Sequence, residues 1–208
     1  MRYGPDHKAE ARTRIRNAAG RGFRRLGFGG IGVDGLAKEA GVTSGAFYGH
    51  FPSKAEAFKA AAVAGLVELR EAVESLQANE GAAWLEKFVD FYVNVRRTCD
   101  LGESCALQSL TPEVARADRE TRTAYEAELV RVVEAVAQGL SMQGLSMQGL
   151  SMKGLSNGTL SARRKTAWAI LSILSGGVSI ARSTADPRLG SQVGAALKAA
   201  VLALIGRD

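Results

Sequence analysis

The chain has 208 residues, 46% hydrophobic and 23% charged, a balance that excludes intrinsic disorder and fits one ordinary globular domain, or a small one joined to a larger one. Its formal charge of +6 is unevenly placed: residues 1–54 hold ten Lys/Arg against four Asp/Glu, and the other 154 residues hold 17 of each sign. A basic head on a neutral body points to a nucleic-acid partner at the head. The longest mostly apolar run, AWAILSILSGGVSIA at 167–181, is shorter than the roughly 20 residues a membrane span needs and lies far from the N-terminus. A cytoplasmic location is therefore expected. Two cysteines, Cys99 and Cys105, make no disulfide framework, which fits a reducing compartment.

In chain order the periodicity is helical throughout, and the alternation expected of strands is nearly absent. Pro5 and Asp6 read as a helix start, with Asp6 placed to cap free N–H groups. Ile15, Ala18, Ala19, Gly22, Phe23 and Leu26 follow at three- and four-residue spacing, and GFGGIG at 27–32 ends the helix. A short helix is expected at 33–40, then a tight turn at Gly41, then the stretch AGVTSGAFYGHFPSK at 40–54. Pro52 and Ser53 open a longer helix, 53–78, with Phe58, Ala62, Leu66, Leu69 and Val73 on one side. Trp84, Leu85, Phe88, Phe91, Tyr92 and Val95 mark a helix at 81–98, which TCDLGES breaks. Helices at 104–116 and 118–138 come next, the second with Tyr125, Leu129, Val132, Val133 and Val136 in register. Residues 139–158, GLSMQGLSMQGLSMKGLSNG, repeat every five residues, a period that suits neither helix nor strand, and are expected to form a low-complexity loop. Met142, Met147 and Met152 lack flanking Cys or His, so no metal site is expected there. Two last helices, 161–183 and 188–206, are separated by Pro187 and carry wide apolar stripes. Such faces need partners, and a homodimer interface built from both helices is expected, with Gly176 and Gly177 permitting close helix approach.

Within 33–50 the pattern is a helix-turn-helix. Leu36 and Ala37 supply a packing face, Gly41 the positive φ of the turn, and Val42 and Phe47 the small core between the helices. Thr43 is placed as N-cap of the second helix. Thr43, Tyr48 and His50 are expected at phosphate oxygens, Lys54 at the backbone as a charge, and Ser44 at a base edge or a phosphate. Lys38, on the first helix of the pair, belongs to the same DNA-facing set. A catalytic use of Ser44 with His50 is disfavoured, since they face different directions on one short helix and no acidic third partner is evident, so no enzyme is expected.

RIRNAAGRGFRRLGFGGIGVDGLAKEAGVTSGAFYGHFPSKAEAF, residues 14–58, resembles the N-terminal domain of the TetR family of bacterial transcriptional regulators. Ile15, Ala18, Ala19, Phe23, Gly27, Phe28, Ala37, Ala40, Gly41, Val42, Phe47, Tyr48, His50, Phe51 and Lys54 fall in its pattern. Three departures stand out. Gly32 replaces the usual Thr or Ser cap of the second helix; Arg16 and Gly22 replace leucines, which predicts looser packing of the first helix; and Gly45, Ala46 and Gly49 leave few long side chains to read bases. The resemblance implies an all-α fold: a three-helix helix-turn-helix DNA-binding domain (1–52) and a larger helical ligand-binding and dimerisation domain (53–208).

It also implies a small-molecule effector, a palindromic operator in double-stranded DNA, no cofactor, and a homodimeric repressor released by ligand. Trp84, Phe88, Phe91, Tyr92, Cys105, Tyr125 and Trp168 are the candidate ligand-binding residues, and the scarcity of charge among them predicts a mostly apolar effector. LGESCALQSL, 101–110, resembles a segment in which a branch of the family carries a cysteine at a helix start. Thiol sensing of oxidants or electrophiles through Cys105, with Cys99 as resolving partner, is thus an alternative, and a non-specific architectural DNA binder is another.

Overall fold

In the computed structural model, residues 5–141 and 159–205 are described, with the side chains of residues 5–7 excepted. The expected Asp6 cap and the methionines of the repeat lie outside the described residues. The chain forms α1 (Pro5–Gly30), α2 (Val33–Glu39), α3 (Ser44–Tyr48), α4 (Lys54–Glu80), α5 (Trp84–Phe91), α6 (Ala106–Val114), α7 (Arg119–Leu140), α8 (Leu160–Ser183) and α9 (Pro187–Leu204), with no strand among the described residues. A π-helical turn at Tyr92–Arg96 follows α5.

Two compact units emerge: residues 1–66 with 100–126, and residues 67–99 with 127–208. In the first, α1 buries Ile15, Ala18, Ala19 and Phe23, and α4 buries Ala57, Phe58, Ala61, Ala62 and Leu66. The rings of Phe23, Phe28 and Phe58 meet at 5.2–6.1 Å. α1 is broken at Gly27 (φ +73°), where the glycine-rich segment was expected to end it. The expected loosening at Gly22 does not occur. A Cβ there would stand 2.9 Å from Ile31 Cδ1 and 3.2 Å from Leu36 Cδ2, so the missing side chain is replaced by those two. Arg16 turns outward and donates to Asn17. Arg21 and Arg25 pair with Glu39, Arg25 also with Asp100, and Arg24 donates to the Gly102 carbonyl.

The second unit packs the end of α4 and α5 with the rest of α7, α8 and α9. Glu128, almost wholly buried, accepts from Arg70 at 2.8 Å and from Arg131 at 2.9 Å, so its charge is compensated. α7 runs to Leu140, past the expected start of the repeat at 139. Its last turn is held by burial of Leu140 and by the Gly139 carbonyl, which accepts from Trp84 Nε1 at 3.1 Å. α8 buries Ala167, Ile170, Leu171, Leu174, Val178 and Ala181, and Gly177 packs directly on Leu197 of α9.

Candidate nucleic-acid interface

α2 is seven residues long, and Gly32 at its N-cap offers no side-chain cap. Its buried face is Leu36 and Ala37. Gly41 adopts φ +67°, a left-handed conformation costly for residues with a Cβ, and the Val42 amide closes the turn onto the Ala37 carbonyl at 2.9 Å. Thr43 is extended (φ −78°, ψ 157°), and its hydroxyl accepts from the Ala46 amide at 3.2 Å, capping α3. Phe47 is fully buried and rests on Phe51 with ring centroids 5.8 Å apart, which fixes the roll of α3.

That roll decides which side chains face out. Tyr48 is 53% exposed, its ring edge-on to Phe47. Lys38 is exposed in the last turn of α2. Lys54 starts α4, with its ammonium 4.4 Å from the centroid of Phe28, a cation held against a ring face. His50 has its Nδ1 buried without a hydrogen bond among the described residues, so Nε2 is the nitrogen left for a partner. Ser44 donates to Asp34 Oδ1 of α2. With its proton engaged there, Ser44 presents only acceptor lone pairs outward. Two participants escaped sequence reasoning. Asp34 lies ten residues before Ser44, and only the helix crossing brings them together. Arg12 places its guanidinium 4.9 Å over the Phe51 ring, and the one hint in the sequence was the basic start of the chain.

The ligand candidates divide between the units. In the second, Trp84, Phe88 and Tyr92 are buried and form a ladder at i, i+4 and i+8, with centroids 6.3 and 5.4 Å apart. Phe91 and Trp168, of the same unit, are 40% and 43% exposed, and Arg96 lies over the Phe91 ring. In the first, Cys105 is buried at the start of α6, and Tyr125 shares a 2.8 Å hydrogen bond with Thr111. Burial pushes the Tyr125 phenol up to about 12. Cys99 donates to the Arg96 carbonyl, and Arg182 approaches its sulfur at 3.8 Å while donating to the carbonyls of Arg96, Arg97 and Cys99. No helix among the described residues is long and apolar enough to cross a membrane.

Residues 15–61 match the family model of bacterial regulatory proteins, tetR family. No curated protein matches the chain. Solved structures share the fold over nearly its whole length. The reduced form of E. coli NemR superposes with a TM-score of 0.75 at 18% identity, covering 96% of this chain and 100% of its own. A TetR-family transcriptional regulator from Cytophaga hutchinsonii gives 0.72 at 17% identity, covering 99% and 96%. The fatty acid degradation regulator FadR from Bacillus halodurans gives 0.66 at 17%, covering 99% and 97%. Residues 15–61 thus match the DNA-binding head of the tetR family of bacterial regulatory proteins, and the helical fold of the chain is that of solved TetR-family regulators.

Proposed function

We propose that the protein is a cytoplasmic, homodimeric repressor that binds a palindromic operator through residues 1–52 and is released by a small, mostly apolar effector bound by residues 53–208. The observation that carries the DNA-binding part is the capped, rigidly packed α3, which presents Tyr48 outward beside Lys38 and Lys54 on a basic head. Lys38, Thr43, Tyr48, Lys54 and His50 (through Nε2) serve the phosphate backbone. Ser44, with its proton given to Asp34, accepts from a base amino group in the major groove. Contacts from so few long side chains leave part of the specificity to DNA shape. A catalytic role for Ser44 lacks support, since its hydroxyl is engaged by Asp34 and not by His50.

Support for dimerisation comes from the outer faces of α8 and α9. Trp168, Ser172, Gly176 and Ile180 recur every four residues on α8 and are all exposed; Leu189, Ala196, Ala200 and Leu204 form an exposed row on α9. A two-fold pairing of these small and apolar rows would bury them. Support for an apolar effector comes from the buried aromatic ladder of Trp84, Phe88 and Tyr92 and from the similar fold of FadR. Release follows if the effector binds one head spacing better than the other. Thiol sensing through Cys105 has weaker support: NemR was solved in a reduced form, but Cys105 is only 7% exposed here.

The test is fluorescence anisotropy on duplexes tiling the region upstream of the gene, with random duplex as competitor at fixed salt. Binding of one tile ~10³-fold tighter than random DNA supports a sequence-specific regulator. Uniform binding that vanishes with salt would replace it with the architectural reading.

A further inference from the structure

We propose that the first turns of α1 form a second DNA-binding surface, in which Lys8, Arg12 and Arg16 hold the phosphate backbone alongside α3. The inference rests on the DNA-binding reading above and adds residues that it does not use. At 3.6 residues per turn, positions 8, 12 and 16 share one stripe of the helix. Toward the C-terminus the same stripe becomes Ile15, Ala19 and Phe23, all buried in the head. Lys8 and Arg12 are exposed, and Arg16, half-buried, exchanges its bonds to Asn17 Oδ1 for a phosphate oxygen. The core-facing side of α1 therefore turns from apolar to basic where the helix outruns the core it covers.

Like charges at i, i+4 and i+8 repel one another, and no carboxylate shares the stripe: Glu10, the only acid between residues 7 and 33, lies on the far side of the helix. An anion from outside relieves that repulsion. Arg12 is also positioned. Its guanidinium sits over Phe51, which is fully buried and packs on Phe47 of α3. Contact with a ring restricts the side chain and uses none of its N–H donors, so the fork that suits a phosphate is kept. Lys54 is held in the same manner over Phe28. The arginines farther along α1 are occupied inside the unit: Arg21 and Arg25 on Glu39, and Arg24 on the Gly102 carbonyl. The basic residues of the head thus divide into a set paired within the unit and a set, Lys8 and Arg12 foremost, that lies on the same side as Phe51 and continues the surface of α3.

The experiment measures the salt dependence of binding of the full chain to a fluorescent 30-base-pair duplex of random sequence. Lys8→Gln, Arg12→Gln and Arg16→Gln are tested singly and together. Arg14→Gln is the control, since it makes the same charge change on the opposite side of the helix, beside Glu10, Asn17 and Arg21. The triple variant is expected to reduce the slope of log K against log salt by about 0.9 per cation removed from each head. Arg14→Gln should leave the slope unchanged, and Arg12→Lys should keep it, which separates lost charge from lost folding. A triple variant with the parental slope, or an Arg14→Gln effect equal to that of Arg12→Gln, overturns the proposal. If the parent protein and its Tyr48→Ala variant show that α3 binds DNA while the triple variant changes nothing, only this inference fails. A parent protein that binds no duplex at any salt overturns both readings.

Discussion

Adjacent glycines in α8 should respond to alanine with opposite signs. At Gly177 a methyl group would stand 2.7 Å from Leu197 Cδ1 and Cγ, and closer still to Cδ2. Optimal carbon contacts are about 3.5–4.0 Å, so Leu197 must leave its rotamer or α9 must move outward. Overpacking of this kind costs about 1–3 kcal/mol. Alanine in a helix interior recovers about 1 kcal/mol of propensity, so Gly177→Ala should come out destabilised by about 1 kcal/mol. Within one protomer Gly176→Ala meets nothing within 4 Å and gains the propensity alone. For a chain of this size the two variants should bracket the parent melting temperature, displaced by about 2–4 °C on either side. The assay is thermal unfolding followed by far-ultraviolet circular dichroism at one fixed protein concentration, because oligomerisation makes the midpoint concentration-dependent. Adding Leu197→Ala to Gly177→Ala should rescue part of the loss, with a coupling of about 0.5 kcal/mol or more. If Gly177→Ala raises the midpoint as much as Gly176→Ala does, the close approach of α8 and α9 is refuted.

Thr43→Ala removes the α3 cap and should cost about 1 kcal/mol in melting experiments, with Thr43→Ser nearly silent; equal losses from both would point to the methyl group. Lys54→Ala should lower the salt slope of DNA binding by about one per head, whereas Tyr48→Ala should weaken binding at an unchanged slope, both read by anisotropy. Asp34→Ala frees the Ser44 proton and removes a carboxylate from the DNA-facing side, so binding to random duplex should tighten severalfold; weaker binding with an intact fold would show that the brace between α2 and α3 matters more than the charge. Tyr125 holds its proton to about pH 12 because it is buried, whereas in the unfolded chain it ionises near pH 10. Its contribution is therefore complete below pH 10 and lost as pH rises toward 12, about 2–3 kcal/mol in all. Tyr125→Phe should flatten that alkaline limb, and phenolate absorbance appearing near pH 10 in the folded protein would show that the residue is not shielded.

The helical class, the order of the elements and the helix-turn-helix were legible in the residues alone. Each rests on short-range chemistry: three- and four-residue spacing, Gly41 at a turn only glycine tolerates well, and Thr43 three residues before the amide it caps. Boundaries went astray where a distant partner intervened, as at Gly139, which α7 absorbs because Trp84 supplies a donor 55 residues away in sequence. Gly22 read as a defect in α1, yet Ile31 and Leu36 complete the packing there. The destination of charge was equally illegible. Ten basic residues in the head look alike in one dimension, but the fold pairs Arg21 and Arg25 with Glu39, puts Arg24 on the Gly102 carbonyl and sets Arg12 on Phe51, because pairing depends on which helices cross and where. The aromatic candidates of the body followed the same rule. Their spacing put Trp84, Phe88 and Tyr92 on one face of a helix, and only packing decided that this face is buried while Phe91 and Trp168 meet solvent.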